Sequence, residues 1–269
     1  ISFDTGKDRF YGNLRTLTST LPEATDLLAL AVNEPRFDAE PVERMKTQLS
    51  AQARRDESDP DAIAGRALAA AMFGNHPYAR PTLGTVETIK GLTPDDLSAQ
   101  YGKIISRAGL TIGVVGAIDA ETLKPILDKI FAPLPEKSEL RPVAEVDLNL
   151  GEEVHKELSV PQTTILMGLP GVKRDDPDYQ AAYVMNHILG GGSFTSWMYQ
   201  EVREKRGLSY GAGTSLSPYE HTGLLLGSAA TKVDRAGETL QVMLDQFERM
   251  ATDGPSEEEL RAAKQYITG

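Results

Sequence analysis

The residues of this chain best suited to chemistry are an arginine and a tyrosine seven positions apart, Arg203 and Tyr210. A guanidinium and a phenol are both hydrogen-bond donors at neutral pH. Aimed at a peptide carbonyl, they favour the tetrahedral oxyanion over the ground state, an effect worth about 100- to 1,000-fold in rate per donor. Neither can run a hydrolysis alone. The other reactive types are sparse. There is no cysteine, which removes disulfides, thiolate metal sites and a thiol nucleophile together. The four histidines, His76, His155, His187 and His221, lie far apart, with no His-x-x-Glu-His or His-Glu-x-x-His spacing among them. On spacing alone, Arg203 reads more readily as a solvated helix residue paired with a nearby glutamate, and Tyr210 as an ordinary strand aromatic.

Positioning the pair falls to the segment around it. Gly190-Gly191-Gly192 reads as a loop, the run through Glu201-Val202-Arg203-Glu204 as a short helix, Gly207 as its left-handed stop, and Leu208-Ser209-Tyr210 as the start of a strand. The triple glycine lacks the Gly-Lys-Ser or Gly-x-x-Gly continuation that would place backbone amides on a phosphate. It reads instead as a flexible turn where backbone approaches substrate or allows domain movement.

Composition narrows the field. A net charge of -11 argues against nucleic acid, since little here would neutralise phosphates, and does not favour an anionic membrane. No apolar run approaches the roughly 18 residues that span a bilayer. With 40% hydrophobic and 25% charged residues over 269 positions, the chain has the make-up of a globular protein long enough for two domains. Ile1-Ser2-Phe3-Asp4 is neither an initiator methionine nor a signal peptide, and the end at Gly269 follows directly on a helix pattern; both are read as the interior of a longer chain.

A repeat of about 215 residues organises the rest. Thr25–Val32 and Pro41–Leu49, broken at Glu34-Pro35-Arg36-Phe37, echo Thr239–Phe247 and Ser256–Lys264, broken at Asp253-Gly254-Pro255; the last of these opens with a capping box, Ser256 with Glu259. Strand, strand, helix and helix follow in the same order twice, so residues 1–16 correspond to the hairpin at 208–231. The counterpart of the glycine loop and the Arg203 helix is then expected upstream of Ile1. Between the copies, helices are expected over Asp61–Phe73, from the capped Thr93-Pro94 onward and over Ala120–Phe131, with a buried strand at Leu110–Gly116. Strands are expected at Val154–Leu158 and Thr163–Leu169, and a helix at Asp178–Leu189. The predicted architecture is α+β, two tandem sandwiches of mostly antiparallel sheet with helices on one face: a truncated first domain at 1–140, a linker at 141–153 and a second domain at 154–269.

These motifs resemble the pitrilysin-like metallopeptidases, the M16 family. The matching residues are Gly190-Gly191-Gly192 with Glu201 through Tyr210, Asn75-His76-Pro77 through Thr85, Ile89-Lys90-Gly91-Leu92-Thr93, and Val114 through Asp119. The resemblance implies that active members bind zinc through His-x-x-Glu-His and a more distant glutamate. Counting back from Asp59-Pro60-Asp61 sets Gln48-Leu49-Ser50-Ala51-Gln52-Ala53 on the run that carries that glutamate, so Gln52 or Ala51 replaces it, and the supporting acid one heptad earlier becomes Met45. A neutral amide is a poor ligand for a zinc that needs its charge neutralised. No cofactor is therefore expected in this chain. The resemblance further implies that Arg203 and Tyr210, unlike Arg206, have the family's spacing for a pair that reaches across to the zinc site of another domain or subunit.

The resulting expectation is a subunit inactive by itself, paired with a zinc-bearing M16 subunit in a heterodimer around an unfolded peptide. Arg203 and Tyr210 act in trans on the substrate carbonyl. Gly190, Gly191, Gly192, Leu208 and Ser209 contact substrate, and the edge strand over Leu208–Ser215 pairs with its backbone. The alternatives are a structural scaffold like the core subunits of the respiratory bc1 complex, or a complete zinc protease whose His-x-x-Glu-His lies elsewhere. The compartment, bacterial periplasm or cytoplasm, stays open.

Overall fold

A computed structural model describes residues 1–269. In chain order its main elements are β1 (Ser2–Thr5), β2 (Phe10–Asn13), α1 (Leu21–Asn33), α2 (Ala39–Asp56), α3 (Pro60–Phe73), α4 (Val86–Gly91), α5 (Pro94–Ile104), α6 (Ala120–Phe131), β3 (Gln162–Pro170), α7 (Tyr179–Asn186), β4 (Ser209–Pro218), β5 (Gly223–Lys232), α8 (Ala236–Thr252) and α9 (Glu257–Thr268). The mixed class of helices with antiparallel sheets holds, and strand, strand, helix, helix recurs as β1-β2-α1-α2 and β4-β5-α8-α9. The chain gathers into two compact units that interleave along the sequence: Ile1–Arg54 with Thr82–Pro142, and Arg55–Pro81 with Val143–Gly269.

The first unit is largely helical, and local caps set its helix ends. Thr93 and Asp96 form a reciprocal capping box (Asp96 N–H to Thr93 Oγ1 3.2 Å, Thr93 N–H to Asp96 Oδ2 2.9 Å) ahead of Pro94 at the first position of α5. Asp119 caps α6 in the simpler way, accepting from Thr122 N–H, as Asp59 does for α3 of the second unit by accepting from Ala62 N–H. Within this unit α1 and α6 pack through Val32, Ile130 and Leu134. Asn33 Nδ2 ties the pair by donating to both Ala29 O and Ile130 O at 2.9 Å. A second small core joins Ala53 of α2 to Val86 and Ile89 of α4.

The second unit is built on a three-stranded antiparallel sheet in the order β3-β5-β4. Successive residues of the central strand β5 point to opposite faces. Leu225 and Ala229 enter the main core with Leu189, Met198, Val202, Met243 and Ala263, which brings α7, α8 and α9 onto one face. Leu224 packs instead with Met72, Phe73 and Tyr78, which brings α3 and its following loop to the other. Gly168 of β3 makes room for that contact, because a Cβ there would meet Met72 Sδ at 2.1 Å. Helices thus cover both faces, one more layer than the one-sided packing the sequence suggests.

Two expected strands are absent. Leu110–Gly116 is neither a strand nor buried, with Val115 fully exposed. No other strand lies beside it to satisfy its N–H and C=O groups, since β1 and β2 pair only with each other. Val154–Leu158 is likewise unpaired and exposed, because β3 takes β5 as its only neighbour.

Candidate functional site

The segment between α7 and β4 holds the predicted residues, and its path follows from what it buries. Beyond Asn186 the helix widens into a π-helical turn, His187–Gly191, closed by Gly192 N–H to His187 O at 2.8 Å. After the short 3-10 turn Ser193–Thr195, Ser196 starts a new helix: its hydroxyl donates to Ser193 O and receives the Tyr199 N–H at 3.4 Å. Met198 and Val202, one turn apart, are wholly buried in the main core. Arg203 follows Val202 and therefore emerges at the rim. This helix also widens to π geometry over Tyr199–Glu204, a feature frequent at functional sites.

Gly207 ends the helix with φ +58°, the left-handed conformation anticipated from its position. Its N–H bonds Arg203 O and that of Leu208 bonds Val202 O, both at 2.9 Å. The chain then turns into β4, where Ser209 pairs with Thr231 and regular pairing resumes at Ala212 with Ala229. Tyr210 and Gly211 fall in the intervening bulge, which frees Tyr210 from the sheet and leaves it 86% exposed.

The structure brings Arg203 and Tyr210 together. The Arg203 guanidinium lies 4.9 Å from the centre of the Tyr199 ring and 6.0 Å from that of Tyr210, with Nη1 3.4 Å from Tyr210 O. Its nearest carboxylate, Glu204, is 3.9 Å away and both side chains are in solvent, so the charge stays available. Arg206 differs: Nη1 donates to Glu201 Oε2 at 2.6 Å and to Glu201 O at 2.9 Å. Burial pushes the Glu201 carboxyl up, but hydrogen bonds and charge from Lys205 and Arg206 outweigh it and hold the group below its ordinary value. Arg206 is consumed by this pairing, and Arg203 is the cation left to act outward.

The glycines and their flanks separate into surface and interior. Gly191 and Gly192 keep some exposure, whereas Gly190 is buried against β4, where a Cβ would meet Thr214 N at 2.3 Å. Gly190 is thus a packing glycine rather than a flexible substrate contact. Leu208 and Ser209 also lie on the interior side. Leu208 is buried and its carbonyl accepts from Thr231 Oγ1 at 2.6 Å; Ser209 is buried and its hydroxyl donates to Ala230 O at 2.6 Å. Both side chains anchor the turn from inside. β4 is nevertheless an edge strand of its sheet, as the reading of Leu208–Ser215 requires.

Residues that would hold zinc do not assemble. Gln52 and Ala51 lie exposed on α2, Met45 is 52% exposed, and no three His, Asp or Glu side chains gather to share a metal ion. The donor set present does not fit zinc.

A family profile described as the peptidase M16 inactive domain matches residues 91–267. The chain belongs to the peptidase M16 family. This M16 chain is 30% identical to a protein of Mycobacterium bovis named an uncharacterized zinc protease, over 98% of the chain and 61% of that protein. A Streptomyces coelicolor protein of the same description is 27% identical over 95% of the chain and 57% of its own length. Among solved structures, the peptidase M16 inactive domain from Pseudomonas fluorescens superposes with a TM-score of 0.89 at 30% identity, covering 94% of the chain and 61% of that one. A chain of complex III2 from Candida albicans shares the fold at a TM-score of 0.76 and 23% identity, over 94% and 62% of the two chains. The M16 chain therefore spans about three fifths of the length of these relatives.

Sequence reasoning passed over the residues that hold the site. Tyr199 stands one helical turn before Arg203, a spacing that could have flagged it. Trp197 could not be found this way. Its Nε1 donates to Glu259 Oε1 at 2.6 Å while Arg249 stacks 3.6 Å from its ring centre, a brace from residues more than 50 positions away.

Proposed function

We propose that this M16 chain is a helper subunit, inactive alone, that supplies Arg203 and Tyr210 to a substrate carbonyl held at the hydrolytic site of a zinc-bearing M16 partner. The observation that carries the reading is the pairing of Arg203 with Tyr210 at an open rim, with the Glu204 carboxylate no closer than 3.9 Å to its guanidinium while Arg206 is locked to Glu201. Two outward donors stabilise an oxyanion only if another group delivers the nucleophile. Gln52 at the glutamate position, with no metal-binding cluster, supports assigning that group to a partner. The bulged start of β4 and its edge position in the sheet suit an extended, unfolded peptide running past Tyr210.

The test uses the full-length protein and its candidate zinc-bearing partner with a flexible fluorogenic peptide. Cleavage in the mixture and in neither protein alone is the expected result. Chelator-sensitive cleavage by this chain alone would contradict it, and stable assembly without cleavage would favour the scaffold alternative.

A further inference from the structure

Phe194 and Tyr199 stand between the glycine turn and Arg203. Ser193 takes φ +51°, a left-handed conformation uncommon outside glycine, and such backbone persists where the surroundings enforce it. Its effect is to throw Phe194 out of the turn, leaving the side chain 68% exposed. Gln200 Nε2 grips the Phe194 carbonyl at 2.6 Å. The Phe194 ring then meets Tyr199 edge to face, centres 5.0 Å apart at 77°. Tyr199 is 9% exposed and presents its ring to the Arg203 guanidinium at 4.9 Å. An exposed arginine normally samples many rotamers; here an aromatic platform limits them.

We infer that Tyr199 is a positioning residue that aims Arg203, and that Phe194, set by the strained Ser193, fixes the Tyr199 ring from its edge. The glycine turn then acts on the site through this aromatic relay. The inference rests on the role proposed for Arg203 where activity is concerned, but the aim of the side chain is measurable without it.

The experiment reads the Arg203 side-chain Nε–H and Cδ–H resonances in full-length protein, assigned by loss in Arg203→Lys. Ring-current shifts fall steeply with distance, so Tyr199 at 4.9 Å outweighs Tyr210 at 6.0 Å. Tyr199→Phe should retain the upfield shift and Tyr199→Leu should lose most of it; Phe194→Ala, at an exposed position where folding is not at stake, should reduce it. With the zinc-bearing partner present, Tyr199→Leu should lower kcat about 10-fold with KM little changed, a loss Tyr199→Phe restores. A shift unchanged in both Tyr199→Leu and Phe194→Ala overturns the inference. If instead the shifts behave as stated while Arg203→Ala leaves cleavage intact, the relay stands and the proposed function of Arg203 fails.

Discussion

Gly190→Ala tests the account of the turn most sharply. The added Cβ would lie 2.3 Å from Thr214 N, 2.5 Å from Thr214 Oγ1 and 2.9 Å from Gly213 C. Ordinary contact begins about 1 Å further out, and the obstacle is mainly the β4 backbone, which cannot rotate aside like a side chain. Overpacking costs about 1–3 kcal/mol, and a clash between two main-chain segments belongs at the upper end, about 3 kcal/mol. For a unit of this size each kcal/mol moves the thermal midpoint by about 2–4 °C, so a fall of about 6–12 °C is expected. Gly211→Ala is the matched control. It sits at the bulge of β4 with no atom within 4 Å of its added Cβ and no left-handed φ, so its effect should stay within about 0.5 kcal/mol. Differential scanning calorimetry of the two variants beside the parent decides the matter. Equal midpoints for Gly190→Ala and Gly211→Ala would refute the claim that Gly190 is held by close approach to β4.

The remaining predictions concern the surroundings of the site. Burial pushes the Glu259 carboxyl up, but bonds from Ser256 and Trp197 and the charge of Arg249 prevail and hold it below its ordinary value. A carboxyl lowered in the folded state contributes stability above its unfolded pKa, about 4.3, and loses it as pH falls through the folded value. Glu259→Gln should therefore cost about 1 kcal/mol at neutral pH, after allowance for solvent screening, and the difference should vanish only once pH has fallen below the lowered folded value; thermal midpoints across pH check this. Thr214 Oγ1 is buried with no protein partner, so Thr214→Val should be neutral or stabilising by up to about 1 kcal/mol in denaturant titration.

Much of this molecule was legible from local chemistry. Thr93 with Pro94 and Asp96 announces α5, Asp119 announces α6, and Ser256 with Glu259 opens α9, because each cap is satisfied by residues three positions apart. Arg203, Gly207 and Tyr210 were readable for the same reason, their geometry being fixed within one helix end and one turn. Misreadings occurred where the outcome depends on a distant partner. Leu110–Gly116 has the composition of a buried strand, yet a strand exists only beside another. Gly190 looked flexible because nothing in its neighbours reveals that Thr214 closes on it. Leu208 and Ser209 looked available because their ties to Thr231 and Ala230 span more than 20 residues.

The central claim is that Arg203 and Tyr210 act as one unit on a substrate held by a partner. The most direct measurement is kcat/KM of the full-length protein mixed with its zinc-bearing partner, for Arg203→Ala, Tyr210→Phe and the double variant. Donors converging on one oxyanion should each cost about 100- to 1,000-fold, and the double variant should lose far less than the product of the two. Cleavage unchanged by either substitution, or obtained from this chain without the partner, would contradict the account.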